Sequence, residues 1–333
     1  MPSTPGCADP VLSVRDLVVE FPTADGVVAA VNGVAFDLAA GETLAILGES
    51  GSGKSVTAQA VMGLIERPGR VVGGTVTFEG RDLLAAPAEE RRKVRGTGLA
   101  MVFQDPLSAL NPVWSVGFQI GELFRVHRGA SRKEARRRAV ELLERVRIPA
   151  APQRVGEYPH QFSGGMRQRV MIAMALALGP RVLIADEPTT ALDVTVQAQI
   201  LELLDDLRAE TGMGLLLITH DLGVVAESAD RVAVMYAGRI VETGPTDALL
   251  SAPAHPYTEG LLASVPRGQS GREERLRPIA GAPPSLARIP PGCPFHPRCP
   301  YAVDRCRTER PPLQGDVRAS ACWRSEEVGR AGR

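Results

Sequence analysis

The stretch TLAILGESGSGKSVTAQAVMGLIERPG, from Thr43 to Gly69, decides the fold of this 333-residue chain. An apolar strand, TLAIL, runs into a glycine-rich turn, and we expect the helix that follows to end before Pro68. The turn has the pattern G-x-x-x-x-G-K-S between Gly48 and Ser55. Its glycines let successive backbone amides point at phosphate oxygens, and the helix adds the positive end of its dipole. The stretch therefore predicts a phosphate-binding loop.

A nucleoside triphosphate with Mg²⁺ is the ligand that this loop pattern predicts. We expect Lys54 to reach the β- and γ-phosphates and the Ser55 hydroxyl to ligate Mg²⁺. A glycine-rich turn that binds nothing is the alternative, and the flanking strand and helix argue against it. The predicted nucleotide-binding residues of the loop are consecutive: Gly48, Glu49, Ser50, Gly51, Ser52, Gly53, Lys54, Ser55 and Val56.

A second apolar run, RVLIADEP, predicts a buried strand that ends in Asp186 and Glu187. Ligands of open α/β sheets bind at the carboxyl ends of such strands. Asp186 suits the Mg²⁺ shell, and Glu187 suits a base that orients and deprotonates the attacking water. Further apolar runs at residues 99–103, 215–219 and 232–236 complete a mostly parallel sheet. The sequence thus predicts an α/β fold that hydrolyses ATP.

The segment QFSGGMRQRVMIAMALALGP places Ser163, Gly164 and Gly165 before a long apolar helix. Bare amides at such a helix start form a second anion site, which makes sense if it closes over the nucleotide of another subunit. With this segment the sequence resembles the ATP-binding subunits of ABC transporters, from Leu12 to about residue 250. The resemblance implies an ABC-type P-loop ATPase core, with a mostly parallel sheet, flanking helices, a small antiparallel β subdomain and a helical insertion.

The resemblance also implies roles for single residues. Gln104 in VFQDP looks like the residue that links the Mg²⁺ and water site to the membrane partner, and Asp193 in TTALD looks like the D-loop aspartate. His220 in ITHDL resembles the histidine that contacts the γ-phosphate, and Phe21 is similar in place to the aromatic that stacks on adenine. Met166 departs from the commonest signature, but the amide donors beside it do not depend on its side chain. The expected catalytic residues are Lys54, Gln104, Glu187 and His220, and the expected Mg²⁺ ligands are Ser55, Gln104 and Asp186.

Two domains are expected. A nucleotide-binding domain would cover residues 1–250, with a helical subdomain at about 105–177, and a Pro/Gly-rich extension would cover residues 251–333. The segments AHPYTEGLLASVP and GCPFHPRCPYA of the extension resemble the C-terminal sequences of ATPase subunits of bacterial dipeptide and oligopeptide importers. This resemblance implies a dimer with a second, related ATPase, two transmembrane permease subunits and an extracytoplasmic peptide-binding protein. A nickel importer of the same architecture is an alternative, and a soluble ABC ATPase is a more distant one.

The charge and hydropathy of the sequence limit which partners and which cellular location are expected for the chain. Lys+Arg and Asp+Glu both number 38, so net charge gives no reason to expect nucleic acid as a partner. The start, MPSTPGCADP, has neither a charged nor an apolar targeting region, and the longest apolar run, VMIAMALAL, is too short for a membrane span. We therefore expect a peripheral subunit at the cytoplasmic face of the cell membrane.

Four of the five cysteines lie near the end of the chain, at Cys293, Cys299, Cys306 and Cys322. In a reducing cytosol, clustered cysteines are more often metal ligands or catalytic thiols than disulfides. The spacing C-x5-C-x6-C-x15-C lacks the tight knuckle of structural zinc sites. Four thiolates on a proline-braced loop favour a [4Fe-4S] cluster that staples the tail, with Zn²⁺ or free thiols as the alternatives.

Overall fold

The computed structural model describes residues 10–24, 26–190, 192–264 and 278–328. Cys7 and the linker residues 265–277 of the predicted extension lie outside these ranges. The strands are β1 (Leu12–Thr23), β2 (Gly26–Leu38), β3 (Thr43–Leu47), β4 (Arg70–Phe78), β5 (Arg81–Asp82), β6 (Leu99–Val102), β7 (Val182–Asp186), β8 (Gly214–Thr219), β9 (Arg231–Tyr236), β10 (Arg239–Pro245) and β11 (Ala319–Ser320).

The α-helices are α1 (Lys54–Met62), α2 (Ala88–Val94), α3 (Pro106–Ala109), α4 (Val116–Arg128), α5 (Arg132–Arg145), α6 (Ala151–Arg154), α7 (Gly164–Leu176), α8 (Val194–Thr211), α9 (Leu222–Ser228), α10 (Thr246–Ser251), α11 (Pro256–Ala263) and α12 (Asp304–Thr308). Short 3-10 turns occupy Pro159–Gln161 and His296–Arg298. Within the described ranges, none of these helices has both the length and the apolar character that a bilayer span requires.

The chain forms two compact units. The first contains Met1–Val11, Ala39–Glu42 and Ala86–Leu217, and the second contains Leu12–Leu38, Thr43–Ala85 and Ile218–Arg333. Strand β8 includes the boundary between them. The phosphate-loop residues therefore fall in the second unit, and the carboxylates at the end of β7 fall in the first.

The second unit holds two sets of strands. One is an antiparallel sheet of order β2-β1-β4-β5, the small β subdomain that the sequence predicted, and the other runs in the order β11-β10-β9-β3. Strand β3 is parallel to β9, with Leu47 opposite Val234, whereas β10 is antiparallel to both of its neighbours. Every residue of β3 is buried, as the apolar sequence of a strand covered on both faces predicts.

The C-terminal extension shares the core of the second unit. Tyr257, Cys293 and Phe295 pack in one cluster with Tyr236 and with the inward residues of β3 and β9. The rings of Tyr236 and Phe295 meet edge to face at 5.3 Å, and β11 adds a short strand to the edge of β10. A tail with few apolar residues thus folds by using apolar surface that the ATPase sheet supplies.

Helix α5 of the first unit shows how far local sequence signals reach. Ser131 caps the helix by accepting a hydrogen bond from the Glu134 amide, which is one half of a Ser-x-x-Glu capping box. The Glu134 carboxylate turns instead to Arg137 and Arg138 on the exposed face, so the reciprocal half of the capping box is not made. The apolar face is buried at Ala135, Ala139, Leu142, Leu143 and Val146.

Helix α1 is closed by a glycine five residues before Pro68. It ends at Met62, because Gly63 takes a left-handed backbone with φ of 64° and closes the helix with hydrogen bonds to the last carbonyls. The helix therefore ends before Pro68, as the sequence predicted, and Gly63 sets the residue at which it ends. Glycine after an apolar helical stretch is a common C-terminal signal, and here it outweighs the apolar residues that follow.

Candidate functional site

The loop between β3 and α1 curves so tightly that its glycines are required. A Cβ on Gly48 would lie 2.3 Å from the Met235 carbonyl oxygen, and one on Gly53 would lie 2.4 Å from the Ala30 carbonyl oxygen. Both contacts are with backbone, which cannot move aside as a flexible side chain can. Gly53 also has a φ of 104°, a conformation that other residues rarely adopt. The two glycines of the G-x-x-x-x-G pattern are thus fixed by sterics.

The same loop holds a positively charged side chain next to helix-start amides, which carry partial positive charge. Lys54 opens α1, is 4% exposed, and donates from Nζ to the carbonyl oxygens of Gly48 at 2.7 Å and Glu49 at 3.1 Å. Gly53, the residue that precedes the helix, carries no side chain to cap the first amides. An ammonium group and uncapped helix amides on one curled loop fit the oxygens of a phosphate chain.

The predicted acidic residues lie at the end of β7 in the first unit. Asp186 is the last residue of the strand and is buried. Glu187 follows with a φ of 46°, and left-handed backbone in a residue other than glycine stores strain that is typical of functional sites. Gln104 donates from Nε2 to Glu187 Oε2 at 2.9 Å, and Thr190 donates from Oγ1 to the same oxygen at 2.9 Å. The structure thus brings Gln104 and Glu187 together.

Thr190 is a residue that the sequence reasoning missed. Its hydroxyl bonds the Glu187 carboxylate from three residues further along the chain, in the turn DEPTT. Threonine and serine hydroxyls commonly make such short-range bonds at the ends of strands and helices. The sequence therefore contained a signal for this contact, because Thr190 lies three positions after Glu187, the residue that it orients.

The starts of α7 and α8 are both capped within the first unit. Ser163 accepts a hydrogen bond from the Met166 amide, and Asp193 accepts one from the Val196 amide at 3.0 Å. A Cβ on Gly165 would lie 2.5 Å from the Val196 side chain, so only glycine allows this close approach. The Ser-Gly-Gly segment thus forms a tightly packed helix start in which Ser163 caps the Met166 amide, and its role as a second anion site stays a prediction.

Two more predicted residues lie in the second unit. His220 follows the end of β8 and is exposed, and Asp221 after it caps α9. Phe21 lies in β1 with its ring against Gly69, where any Cβ would approach the ring to 2.4 Å. Their contacts with the γ-phosphate and with adenine stay predictions.

Known families and proteins match this chain over most of its length. Residues 31–190 match the ABC transporter family, and residues 241–306 match the oligopeptide/dipeptide transporter C-terminal region. The chain is 55% identical over 303 residues to the oligopeptide transport ATP-binding protein OppD of Bacillus subtilis, covering 91% of this chain and 85% of the relative. Against OppD of Salmonella typhimurium it is 52% identical over 325 residues, with 97% and 96% covered. The chain belongs to the ABC transporter family.

Solved ABC structures have the same fold. A dimeric, post-hydrolysis structure of the ATP-binding cassette MJ0796, bound to ADP and Pi, matches with a TM-score of 0.64 and 28% identity over 71% of this chain and 98% of that chain. CbiO1 of Clostridium perfringens matches with a TM-score of 0.62 and 29% identity over 73% and 92%. The predicted ABC fold is confirmed, and as a member of this family the chain is an ATPase.

The C-terminal cysteines of this ABC protein line one small cavity together with His296. None of the four is in a disulfide. Burial raises the pKa of Cys299 to about 12 and that of Cys322 to about 11, and neighbouring cysteines shift both pKa values in the same direction. Burial also raises the pKa of Cys293. These thiols therefore favour the neutral form.

The predicted metal site is not supported by this arrangement. Over the parts of the chain that the structure describes, no group of three or more His, Cys, Asp or Glu side chains is placed to hold a metal ion. Metal ligands must also be deprotonated, which burial opposes here. The four cysteines line one cavity, but their side chains are not grouped as metal ligands.

Proposed function

We propose that this chain hydrolyses ATP to power the import of dipeptides or oligopeptides, as a peripheral subunit at the cytoplasmic face of the membrane. The observation that carries the proposal is one chain that joins a curled phosphate loop to a C-terminal region like that of oligopeptide/dipeptide transporters. Relatives at 52% and 55% identity are named oligopeptide transport ATP-binding proteins.

In the proposed reaction, the phosphate loop holds the triphosphate. Lys54 and the amides around it neutralise charge on the β- and γ-phosphates. Ser55, Gln104 and Asp186 are the proposed ligands for Mg²⁺, which adds positive charge to the triphosphate when it is bound. His220 is the proposed contact of the γ-phosphate, and stacking of Phe21 on the adenine completes nucleotide binding.

Glu187 is the proposed base that orients and deprotonates the attacking water. Gln104 and Thr190 both donate to its Oε2 atom, which fixes the plane of the carboxylate. A base that is already oriented needs no rearrangement at the moment of reaction. This hydrogen-bond pair is the support for Glu187 as the catalytic residue.

A second, related ATPase subunit is the proposed partner across the nucleotide. The helix start at Ser163, Gly164 and Gly165 suits a phosphate that another chain holds, with Asp193 beside it. ATP binding would close this dimer and hydrolysis would reopen it. Two transmembrane permeases and an extracytoplasmic peptide-binding protein complete the proposed transporter.

Exposed apolar side chains mark a surface for the permease. Val113 is 70% exposed and Trp114 is 48% exposed, and the Trp114 ring stacks on the partly exposed Phe118 at 4.5 Å. Leu107 is exposed on the same segment. Solvent-exposed apolar residues that follow Gln104 along the chain are the support for placing the contact with the permease here.

Reconstituted transport tests the proposal. The ATPase, its companion and the permeases would be assembled in proteoliposomes with the binding protein, and uptake of a labelled dipeptide, a longer peptide and nickel would be compared. We expect ATP-dependent uptake of peptide that is lost in Glu187→Gln. Uptake of nickel alone would replace peptide import with the nickel alternative, and failure to associate with any permease would contradict the transporter proposal.

We also propose that the four cysteines hold a [4Fe-4S] cluster. The support is that all four thiols line one cavity and that none is in a disulfide. Among the described residues the thiols are not grouped as metal ligands, so their side chains would have to reorient to bind a cluster, as they would to bind Zn²⁺. Iron, sulfide and zinc assays on anaerobically purified protein test whether the cluster is present. About four irons and four sulfides per chain would support the cluster, and their absence would contradict it.

A further inference from the structure

Glu49, the second residue of the phosphate loop, is held through all three of its polar groups within the second unit. Its amide donates to the Tyr257 hydroxyl at 2.8 Å, and its carbonyl accepts from Lys54 Nζ at 3.1 Å. Its carboxylate accepts two hydrogen bonds from Arg298, at 2.7 and 3.0 Å. Tyr257 and Arg298 both belong to the C-terminal extension, so residues far along the chain grip the loop.

The ion pair between Arg298 and Glu49 is shielded from water and has a fixed direction. Its side chain is 5% exposed, and the Glu49 side chain is 26% exposed. The guanidinium lies against the rings of Tyr236 and Phe295, at 5.9 and 5.8 Å from their centroids, and donates from Nε to the Ala280 carbonyl. A planar fork that meets a carboxylate through two bonds fixes both position and orientation, which lysine cannot do.

Tyr257 adds a second fixed point. It is fully buried, and its ring packs against Tyr236 at 4.6 Å and Phe295 at 5.5 Å. A ring enclosed in this way cannot move without displacing its neighbours. Its hydroxyl therefore holds the Glu49 amide at a set place.

The negative charge of Glu49 means that its ion pair with Arg298 should affect the binding of a triphosphate. A carboxylate in a phosphate loop repels phosphate oxygens unless a cation neutralises it. Arg298 supplies that cation and turns the carboxylate toward the extension. The carbonyls of Gly48 and Glu49 both accept from Lys54, so the backbone at these two residues positions the lysine that is proposed to meet the phosphates.

We propose that the C-terminal extension sets the conformation and charge of the phosphate loop, with Arg298 and Tyr257 acting through Glu49 as positioning residues for ATP binding. The inference rests on the proposed role of residues 48–55 as the phosphate loop. It gives the extension a task in the nucleotide site whether or not the cysteines hold a metal.

MgATP affinity of the full-length chain, titrated with a fluorescent ATP analogue, tests the inference. We expect Arg298→Met to weaken binding about ten-fold, and Arg298→Lys to weaken it less, because lysine keeps the charge but not the fork. In Glu49→Gln/Arg298→Met the unpaired negative charge is gone, so affinity should return to within about three-fold of Glu49→Gln alone. A purely structural role for Arg298 would not give this rescue.

Controls separate the possible failures. Arg307→Met changes an exposed arginine of the same extension and should bind like wild type. Tyr257→Phe keeps the ring, removes the hydroxyl and should also weaken binding, which provides a second reading if Arg298→Met does not fold. Unchanged affinity in both Arg298→Met and Tyr257→Phe would overturn this inference alone. Equal binding by wild type and Lys54→Ala would overturn the phosphate-loop assignment, and the inference with it.

Discussion

Replacement of Glu242 by alanine should loosen the C-terminal extension from the ATPase sheet. This side chain on β10 is completely buried. It accepts hydrogen bonds from the amides of Ala254 at 2.7 Å and His255 at 2.9 Å, and from Arg318 at 3.1 Å. The two amides lead into α11, and Arg318 precedes β11, so one carboxylate joins both parts of the extension to the sheet.

The magnitude follows from what the substitution leaves without a partner. Each buried donor that loses its acceptor costs about 1–3 kcal/mol, and breaking a buried ion pair costs about 3–5 kcal/mol. Because the Arg318 side chain is 28% exposed, water can solvate it, and we expect a total near 3 kcal/mol. Glu242→Gln keeps one acceptor oxygen but turns an amide NH2 toward one of the donors, and burial raises the pKa of the native carboxyl, which favours its neutral form. We expect this substitution to cost about 2 kcal/mol.

Urea unfolding of full-length protein measures this cost. The chain has two tryptophans, so a Trp114→Phe background leaves Trp323 in the extension as the fluorescent reporter. Glu327→Ala is the matched control, since Glu327 is exposed and pairs with Arg324 at the surface, where such pairs contribute about 0–1 kcal/mol. A loss in Glu242→Ala no larger than that in Glu327→Ala would refute the reasoning.

Three further predictions follow from single contacts. Burial lowers the pKa of His255 from 6.5 to about 3. Between these two pH values the unfolded chain binds one proton more than the folded chain. The free energy of unfolding therefore decreases as the pH falls, by up to about 1.4 kcal/mol per pH unit. His255→Gln should remove this part of the slope in urea titrations at about pH 5 and pH 7, and an unchanged slope would contradict the assignment. Gln104→Ala should lower kcat about 10- to 100-fold, because Glu187 loses an orienting donor, and should also weaken MgATP binding, because Gln104 is a proposed Mg²⁺ ligand. Thr190→Val removes the other donor and should lower kcat several-fold, and full activity would show that the hydroxyl has no positioning role.

The parts of the fold that the sequence predicted are those with a local pattern. The apolar run TLAIL forms β3 within the predicted bounds, because a strand covered on both faces needs consecutive apolar residues. The run before Asp186 becomes β7 for the same reason. Helix α1 ends before Pro68 as predicted, and Gly63, a common C-terminal signal, sets its last residue.

Contacts between distant residues were beyond the reach of the sequence. Arg298 and Glu49 are 249 positions apart, and no periodicity or motif pairs an arginine in one loop with a glutamate in another. The cysteines illustrate an intermediate case. Their clustering predicted a metal site, and all four do line one cavity, yet spacing carries no information on how the side chains point once the loop has packed.

Single-turnover ATP hydrolysis in Glu187→Gln, measured beside MgATP binding in the presence of the companion ATPase, tests the central claim most directly. Glu202→Gln, at an exposed glutamate of the same unit, is the control. The account predicts an affinity within about three-fold of wild type and hydrolysis slower by a factor of about 100 or more. Hydrolysis within about ten-fold of wild type would contradict Glu187 as the base and the site built around it.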